Sequence, residues 1–290
     1  MSDIARILEL WPEQAQFAVL TGAGCSTGAG IPDYRDEKGE WKHARPVMYA
    51  DFMAKLAVRQ RYWSRSMLGW PRMAKAQPTE CHTALADMQA RGHLTGIITQ
   101  NVDRLHQRSG SEAIDLHGAL DEVRCQNCGA QWPRSEWQQR IREANPNWQA
   151  TVVDIQDAPD GDAILEGADY ASFSVPDCEL CGGIVKPEVV FFGENVPKSR
   201  VAAAYDMVDQ AHGLLVVGSS LMVFSGLRFV RRAAQADKPV VIINRGVTRG
   251  DDVANLKIES EVSDTLSALA RALRDRANVY IDTQEPPSDR

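Results

Sequence analysis

The sequence predicts an α/β protein with a Rossmann-like parallel sheet covered by helices on both faces, plus a small zinc-binding module and a helical insertion. Four short apolar runs, at residues 17–20, 94–99, 214–217 and 240–243, are typical of buried strands. Residues 226–236 have helical composition and lie between the last two runs. Strands that alternate with helices favour a parallel sheet, because each crossover places a helix on a face of the sheet.

The first strand leads into a glycine-rich turn, Gly22-Ala-Gly24. A helix start at residues 26–30 would place backbone N–H groups where they can bind a diphosphate. The third glycine of the usual dinucleotide fingerprint is displaced by one position, to Gly28, which argues against an ordinary dehydrogenase. Tyr34 and Arg35 follow shortly afterwards; an aromatic ring can cover an apolar ring face, and a guanidinium can pair with a phosphate.

Two further segments are predicted to be helical. Residues 46–77 contain Trp63 and Trp70, interrupt the strand pattern and predict a helical insertion. Residues 263–276 carry leucines at i, i+3 and i+7 (Leu266, Leu269 and Leu273), which predicts a helix packed on the sheet. The polar tail that follows contains two prolines and predicts disorder.

Polar residues cluster after the second strand. The run from Gln100 to Asp103 contains two amides and a carboxylate, at the end of a parallel strand where ligands bind in open sheets. His117 ends another apolar run, 113–116, just before the first cysteine pair. A lone histidine is more often structural than catalytic, and we interpret the other five histidines in that way. An imidazole, with an ordinary pKa of about 6.5, is suited to proton transfer at neutral pH.

Four of the six cysteines form two CxxC pairs: Cys125 with Cys128, and Cys178 with Cys181. Four thiolates satisfy tetrahedral zinc, and with every ligand supplied by protein the zinc would be structural. Redox-active or merely buried cysteines are the alternative. The long spacer between the pairs must lie outside the metal fold.

The formal net charge of −7 argues against non-specific nucleic-acid binding, which needs a basic surface. No apolar run approaches the roughly 18 residues of a membrane span, and no signal peptide is visible, so we expect a cytoplasmic protein. Residues 143–179 are acidic and hold no Lys or Arg. They predict a solvated loop, or alternatively a docking surface for a basic partner.

Taken together, these motifs resemble the sirtuin family. The resemblance is carried, in family order, by Gly22-Ala-Gly24, Gly30 to Arg35, Thr99 to Asp103, His117-Gly118, the paired CxxC, Lys186 to Glu194, Gly218-Ser-Ser-Leu221 and Ile243-Asn244. The Gly-Ser-Ser-Leu form and residues 248–252 look most like the class II branch.

The resemblance implies an NAD-dependent protein lysine deacylase that releases nicotinamide and O-acyl-ADP-ribose. His117 would be the general base, and Asn101 and Asp103 would be catalytic as well. The implied NAD contacts are Gly22, Ala23, Gly24, Asp33, Tyr34, Arg35, Gln100, Asn101, Val102, Asp103, Gly218, Ser219, Ser220, Asn244, Arg245, Gly246 and Val262.

The resemblance also implies that the substrate peptide adds as a strand beside Val190, Phe192, Gly193 and Glu194. Tyr62 and Arg65 match a pattern with which some sirtuins bind acidic acyl groups; alternatively they are surface residues of a helix. Many sirtuins have a proline after the Gly-[ST]-Ser-Leu strand, where this chain reads 223–226 as Val-Phe-Ser-Gly.

Other functions stay open at this point. ADP-ribosyl transfer or lipoamidase activity could use the same scaffold, and a non-enzymatic NAD-sensing zinc module is the remaining alternative. The expected partner is acylated lysine in proteins, with no nucleic acid and no membrane, and a monomer is favoured. We expect an NAD-binding domain from 1–45, 79–120 and 187–281, a small domain from 46–78 and 121–186, and a disordered tail at 282–290.

Overall fold

The computed structural model describes residues 1–42, 46–154 and 163–284. The helices are α1 (Asp3–Leu10), α2 (Tyr49–Ala54), α3 (Leu56–Met73), α4 (Glu80–Ala90), α5 (Leu105–Arg108), α6 (Arg134–Ala144), α7 (Lys198–Gln210), α8 (Phe224–Gln235) and α9 (Val262–Gln284). The strands are β1 (Phe17–Thr21), β2 (Leu94–Thr99), β3 (Ala113–Asp115), β4 (Gly118–Cys125), β5 (Gln131–Pro133), β6 (Thr151–Asp154), β7 (Ile164–Glu166), β8 (Val185–Val189), β9 (Gly213–Val217), β10 (Val240–Ile243) and β11 (Leu256–Ile258).

The main sheet has six parallel strands in the order β11-β10-β9-β1-β2-β3. The strand order therefore changes direction between β1 and β9: β2 and β3 follow on the side of β1, and β10 and β11 follow on the side of β9. β1 and β9 are neighbours, with Thr21 opposite Val217. The crevice between two such strands is where open α/β sheets bind their ligands. The predicted Rossmann-like sheet is confirmed.

Helices cover both faces of this sheet. On one face, Ile7 of α1, Leu85 of α4 and Leu269 of α9 belong to one buried cluster with the strands. On the other face, Val208 of α7 and Val230 of α8 belong to a second buried cluster. Because both faces are covered, β1 consists entirely of buried residues, as its unbroken apolar sequence predicts.

A smaller unit combines the helical insertion with a three-stranded antiparallel sheet, β5-β4-β8. The insertion forms α2 and α3, as predicted. Trp63 of α3 packs against Trp137 of α6 with ring centroids 5.8 Å apart, inside a separate buried cluster. Our division of the chain into domains stays a prediction.

Three details differ from the sequence expectations. Residues 26–30 do not begin an α-helix: the chain makes two short 3-10 turns, Ala23–Cys25 and Thr27–Ala29, and the second ends at Gly30 in the left-handed region. Part of the acidic stretch pairs as β6 with β7 instead of forming a loop, while residues 155–162 lie outside the described residues. α9 extends to Gln284, and the rest of the expected tail, 285–290, also lies outside them.

Within the described ranges, every helix is either too short or too polar to cross a membrane.

The apolar stripe of α9 can be tested through stability. Leu269 is fully buried against the sheet, so Leu269→Ala should lower the free energy of unfolding by about 2–5 kcal/mol through lost burial and a residual cavity. Arg271→Ala, on the exposed side of the same helix, should change it by no more than about 0.5 kcal/mol. Urea unfolding followed by circular dichroism measures both. Equal effects of the two substitutions would contradict the packing described here.

Candidate functional site

A cavity of about 600 Å³ opens at the carboxyl ends of the central strands. Its walls come from the loop after β1, the loops after β2 and β9, and the segment that follows β8. It therefore lies at the β1–β9 crevice and reaches across to the smaller unit. This size suits a dinucleotide-sized ligand or part of one.

The floor of the cavity is a contact between two glycine loops. Gly24 donates its N–H to the carbonyl of Gly218 at 2.9 Å. A Cβ atom on Gly22 would lie 2.6 Å from that carbonyl oxygen, and one on Gly24 would lie 2.7 Å from the Gly218 Cα. Gly218 itself has φ +60. Side chains are therefore excluded at all three positions, so the backbones of the two loops meet directly at the base of the cavity, where a ligand can approach them closely.

Amide side chains tie this floor to β2. Gln100 Nε2 donates to Ser219 Oγ at 2.8 Å, which joins the loop after β2 to the loop after β9. Asn101 Nδ2 donates to the Gly22 carbonyl and to Ser26 Oγ, both at 3.0 Å. With its amide nitrogen held in this way, the Asn101 oxygen is left for a ligand in the cavity it lines.

Asp103 lies behind this arrangement. Its carboxylate accepts hydrogen bonds from Ser26 Oγ at 2.6 Å and from the Leu105 N–H at 2.9 Å, at the start of α5. Asp103 is not among the described residues that line the main cavity. It lines a smaller pocket instead. Asp103 thus orients Ser26, and through it Asn101. The role of Ser26 was not predicted from the sequence.

His117 reaches the cavity with both ring nitrogens engaged. Nδ1 lies 3.0 Å from the Gln100 carbonyl oxygen, and Nε2 lies 2.7 Å from Ser225 Oγ. A carbonyl can only accept, so Nδ1 carries the proton and Nε2 is the basic nitrogen, to which Ser225 donates. The arrangement fixes one tautomer and directs the lone pair into the cavity.

Burial, together with the positive charges of Arg200 and Arg228, lowers the pKa of His117 to about 4, against the opposing effect of the hydrogen bond to the Gln100 carbonyl. The ring is therefore neutral at pH 7. A neutral imidazole with an unprotonated Nε2 can accept a proton from a bound hydroxyl group that takes the place of Ser225.

The segment after β8 is fixed beside His117. The Val190 N–H donates to the His117 carbonyl at 2.7 Å. Buried Lys186 donates to the Val189 carbonyl and to the Glu194 carboxylate, and Glu194 also accepts the Phe191 N–H at 2.8 Å. Burial lowers the pKa of Lys186, and Glu194 offsets part of that effect. Lys186 appeared in a motif, but the motif did not show that its side chain folds back to hold residues 189–194.

The loop with Asp33, Tyr34 and Arg35 lines the same cavity. Arg35 donates to the Gly39 carbonyl at 2.7 Å and lies over the ring of Trp41, 3.9 Å from its centroid. Tyr34 contacts Phe192 edge-on, with centroids 6.3 Å apart. Trp41 thus orders this loop and lines the cavity. It was not among the site residues predicted from the sequence.

The far end of the cavity is formed by residues after β10 and β11. Asn244, Arg245 and Val262 line it, together with two acidic residues that the sequence did not identify, Glu37 and Glu261. Arg245 pairs with Glu261 at 3.2 Å.

Gly246 was expected to contact NAD, but among the described cavity-lining residues it is absent. It has φ +76, and a Cβ there would lie 2.2 Å from the Glu37 carbonyl. Its glycine is needed for loop packing.

Of the predicted pair Tyr62 and Arg65, the described cavity wall includes Tyr62 but not Arg65. Tyr62 is 1% exposed, lines the cavity and contacts the rings of Phe52 and Phe191 edge-on. Arg65 donates to the Ala163 carbonyl at 2.8 Å and is not among the described residues of the cavity wall. The remaining predicted positions, Val102, Ser220, Val190, Phe192, Gly193 and Glu194, all line the cavity.

The four predicted metal ligands do come together. The sulfur atoms of Cys125, Cys128, Cys178 and Cys181 lie within 4.8 Å of one another. Zinc–sulfur bonds of about 2.3 Å in a tetrahedron place sulfurs about 3.8 Å apart, so the tetrad fits one zinc ion. Four protein ligands leave no open coordination position, which indicates a structural zinc.

Comparison with known proteins agrees with this site. The family model described as Sir2 family matches residues 22–225. The chain is 55% identical over 252 residues to "NAD-dependent protein deacetylase 2" of Bradyrhizobium diazoefficiens, covering 87% of this chain and 92% of that relative. It is 50% identical over 268 residues to "NAD-dependent protein deacetylase" of Bordetella bronchiseptica, covering 92% and 97%.

Solved structures give the same result. A structure described as "Sir2-p53 peptide-NAD+" matches with a TM-score of 0.74 at 28% identity, covering 96% of this chain and 100% of that chain. Another, "Sir2 bound to acetylated peptide", matches with a TM-score of 0.72 at 28% identity and the same coverage.

The metal site predicts that the purified protein contains about one zinc ion per chain. Cys178→Ser removes a buried ligand and should abolish stoichiometric zinc. Cys81→Ala, at a buried cysteine outside the tetrad, should leave the zinc content unchanged. Inductively coupled plasma mass spectrometry measures the metal. Full zinc content in Cys178→Ser would rule out this ligand set.

The environment of His117 predicts an imidazole that titrates near pH 4. Because Arg228 lowers that pKa, Arg228→Gln should shift the titration midpoint upward. NMR titration of the ring, assigned with a His117→Gln variant, measures both midpoints. A wild-type midpoint at or above the ordinary value of about 6.5 would contradict the buried, neutral ring.

Proposed function

Because this chain belongs to the Sir2 (sirtuin) family, we propose that it is an NAD-dependent protein lysine deacylase with His117 as its general base. One observation carries the proposal: a neutral imidazole presents Nε2 to the cavity, 2.7 Å from Ser225 Oγ, while Nδ1 is held by the same Gln100 that is tied to the glycine floor. The base and the anion-binding loop are therefore joined through one residue.

The chemistry of the lining residues fits NAD. The loop Gly22–Gly24 lines the cavity with no side chain at either glycine, which lets a diphosphate approach its backbone closely. Gln100, Ser219 and Asn244 offer hydrogen-bonding groups of the kind that ribose hydroxyls need. When bound, NAD supplies an electrophilic ribose carbon and nicotinamide as its leaving group.

The chain's own residues contribute positioning and proton transfer. Asn101, oriented by Gly22 and Ser26, would hold the nicotinamide end near the acyl oxygen that attacks the ribose carbon. His117 Nε2 would accept the proton of a ribose hydroxyl, after Ser225 gives up its hydrogen bond. The neutral state of the ring at pH 7 makes that transfer possible.

The acylated lysine would enter between residues 190–194 and 221–225. Both segments line the cavity, and Lys186 with Glu194 keeps the first one rigid. Binding as an added strand would use main-chain hydrogen bonds and so read little of the peptide sequence.

The class II assignment, a cytoplasmic location and a monomeric state stay predictions. ADP-ribosyl transfer and lipoamidase activity would share the first step. The relatives' names favour deacylation over both and over a non-enzymatic module. We therefore place acyl-lysine first among substrates.

The proposal is tested with an acetyl-lysine peptide and NAD. The wild-type protein should release nicotinamide, O-acetyl-ADP-ribose and free lysine, and His117→Ala should lower the deacylation rate by about 10²–10⁴-fold, the usual contribution of a general base. His212→Ala, at an exposed histidine outside the described cavity wall, is the matched control and should keep full activity. Chromatography with mass detection follows all three products.

Absence of nicotinamide release across acetyl, succinyl, glutaryl and lipoyl peptides would overturn the proposed function. ADP-ribosylated protein that forms in place of free lysine, and only with His117 intact, would favour the transferase instead.

A further inference from the structure

Among the cationic residues that the structure describes in the cavity wall, Arg228 is the one that bonds neither a carboxylate nor a carbonyl. Arg228 lines the cavity, and its Nε is buried without a hydrogen-bond partner. Within the described parts of the chain, no carboxylate pairs with it, and its contact is the face of Phe224, 5.2 Å from the ring centroid. The other cationic residues of the wall are engaged: Arg35 with Gly39, Lys42 with Asp33 and Arg245 with Glu261.

Arg228 belongs to the reacting end of the cavity. Ser225, in the first turn of α8, is fixed to His117 Nε2 by the 2.7 Å hydrogen bond. Arg228 follows three residues later, and positions i and i+3 lie on the same face of a helix. Its charge is felt by His117, as is that of Arg200 in the first turn of α7. Arg200 donates at 3.5 Å to the Leu116 carbonyl and pairs with no carboxylate in the described ranges.

This position is not that of a diphosphate-binding residue. The glycine floor that suits the diphosphate lies at the ends of β1 and β9, where Gly22 and Gly24 contact Gly218. Arg228 instead lies on the helix face of Ser225, which bonds His117, and the Val190 N–H bonds the His117 carbonyl at the start of the segment proposed for the acyl-lysine peptide.

A half-buried guanidinium without a partner is unfavourable, and a carboxylate is the group that satisfies it through two parallel hydrogen bonds. We propose that Arg228, aided by the charge of Arg200, forms a subsite for a carboxylate carried by the acylated substrate. The carboxylate comes either from the end of a dicarboxylic acyl group or from an Asp or Glu beside the acyl-lysine. This inference rests on the proposed function, because it needs an acyl-lysine substrate at His117.

The subsite also replaces the pair that the sequence suggested for acidic acyl groups. Arg65 is engaged by the Ala163 carbonyl and does not belong to the described cavity wall, whereas Arg228 does. The proposed subsite therefore places the acid-binding cation on α8, whereas the sequence pattern suggested α3.

The experiment compares kcat/KM for two matched substrate pairs. In the acyl pair, the same neutral peptide is prepared in two forms, one with succinyl-lysine and the other with butyryl-lysine. In the peptide pair, an acetyl-lysine peptide carries Asp or Asn at the adjacent position. Arg228→Gln should lower kcat/KM about tenfold or more for at least one carboxylate-bearing substrate, as expected for loss of a charge-assisted hydrogen bond. Any change that the variant makes through the pKa of His117 acts on both substrates of a pair, so the ratio of their kcat/KM values should fall about tenfold or more for the responding pair. The KM for NAD should be unchanged.

Two variants act as controls. Arg228→Lys keeps the charge and should restore part of the preference. Arg231→Gln removes an exposed cation from the same helix that also lies over Phe224 but outside the described cavity wall, and should leave the preference unchanged. The pair of substrates that responds to Arg228→Gln identifies the source of the carboxylate.

Equal losses on acidic and neutral substrates in Arg228→Gln would overturn the subsite, since they would place Arg228 in general support of His117 or NAD. No loss on either pair would overturn it as well.

Peptide affinity, measured by fluorescence anisotropy without NAD, separates this result from failure of the proposed function. A wild-type protein that prefers the acidic peptide through Arg228 but releases no nicotinamide would refute the deacylase and retain the subsite. A protein that turns over neutral peptides with no acidic preference in rate or affinity would retain the deacylase and refute the subsite.

Discussion

The contact between the two glycine loops is the constraint on which the rest of the site depends. Gly22 and Gly24 come so close to Gly218 that a methyl group on either would overlap backbone atoms at 2.6–2.7 Å. That approach is possible because β1 and β9 are adjacent and in register to their last residues, Thr21 and Val217. The parallel sheet therefore brings two distant parts of the chain together. Because the residues in contact are glycines, the two backbones meet directly at the base of the cavity.

The catalytic geometry follows from this contact through Gln100. Its side chain bonds Ser219 beside the glycine floor, and its carbonyl accepts the Nδ1 proton of His117. A Cβ on Gly226 would lie 2.5 Å from the Gln100 side-chain oxygen, so the small residue in the first turn of α8 makes room for that link. The Ser225-Gly226 pair thus serves two neighbours: Ser225 bonds His117, and Gly226 accommodates Gln100.

Much of the fold could be predicted from the sequence because local patterns encode it. Unbroken apolar runs marked β1, β2, β9 and β10, and the leucine spacing marked α9. The CxxC pairs identified the metal ligands because two thiolates two residues apart are themselves a local motif. Ser225 could not be assigned a role in this way, since it acts on His117, far from it in sequence. The contacts of Trp41 with Arg35 and of Lys186 with Glu194 are closer in sequence, but they depend on how the loop between the partners folds. The role of Arg65 stays a prediction: a local pattern pointed to the cavity, whereas its Nε donates to the carbonyl of Ala163, a tertiary contact that the pattern did not contain.

The zinc tetrad and the base are the two ends of one structural element. β4 begins at Gly118, directly after His117, and ends at the ligand Cys125. Gly118 has φ +78, and a Cβ there would lie 1.9 Å from the Glu188 carbonyl, so β8 presses against the chain immediately beside the base. β8 in turn starts at Val185, paired with Cys125, and leads into the substrate-facing residues 190–194. A metal that fixes the β4–β8 pair at its outer end therefore constrains both His117 and the peptide-binding segment at its inner end. A zinc ion without any open coordination position can in this way matter to catalysis through geometry alone.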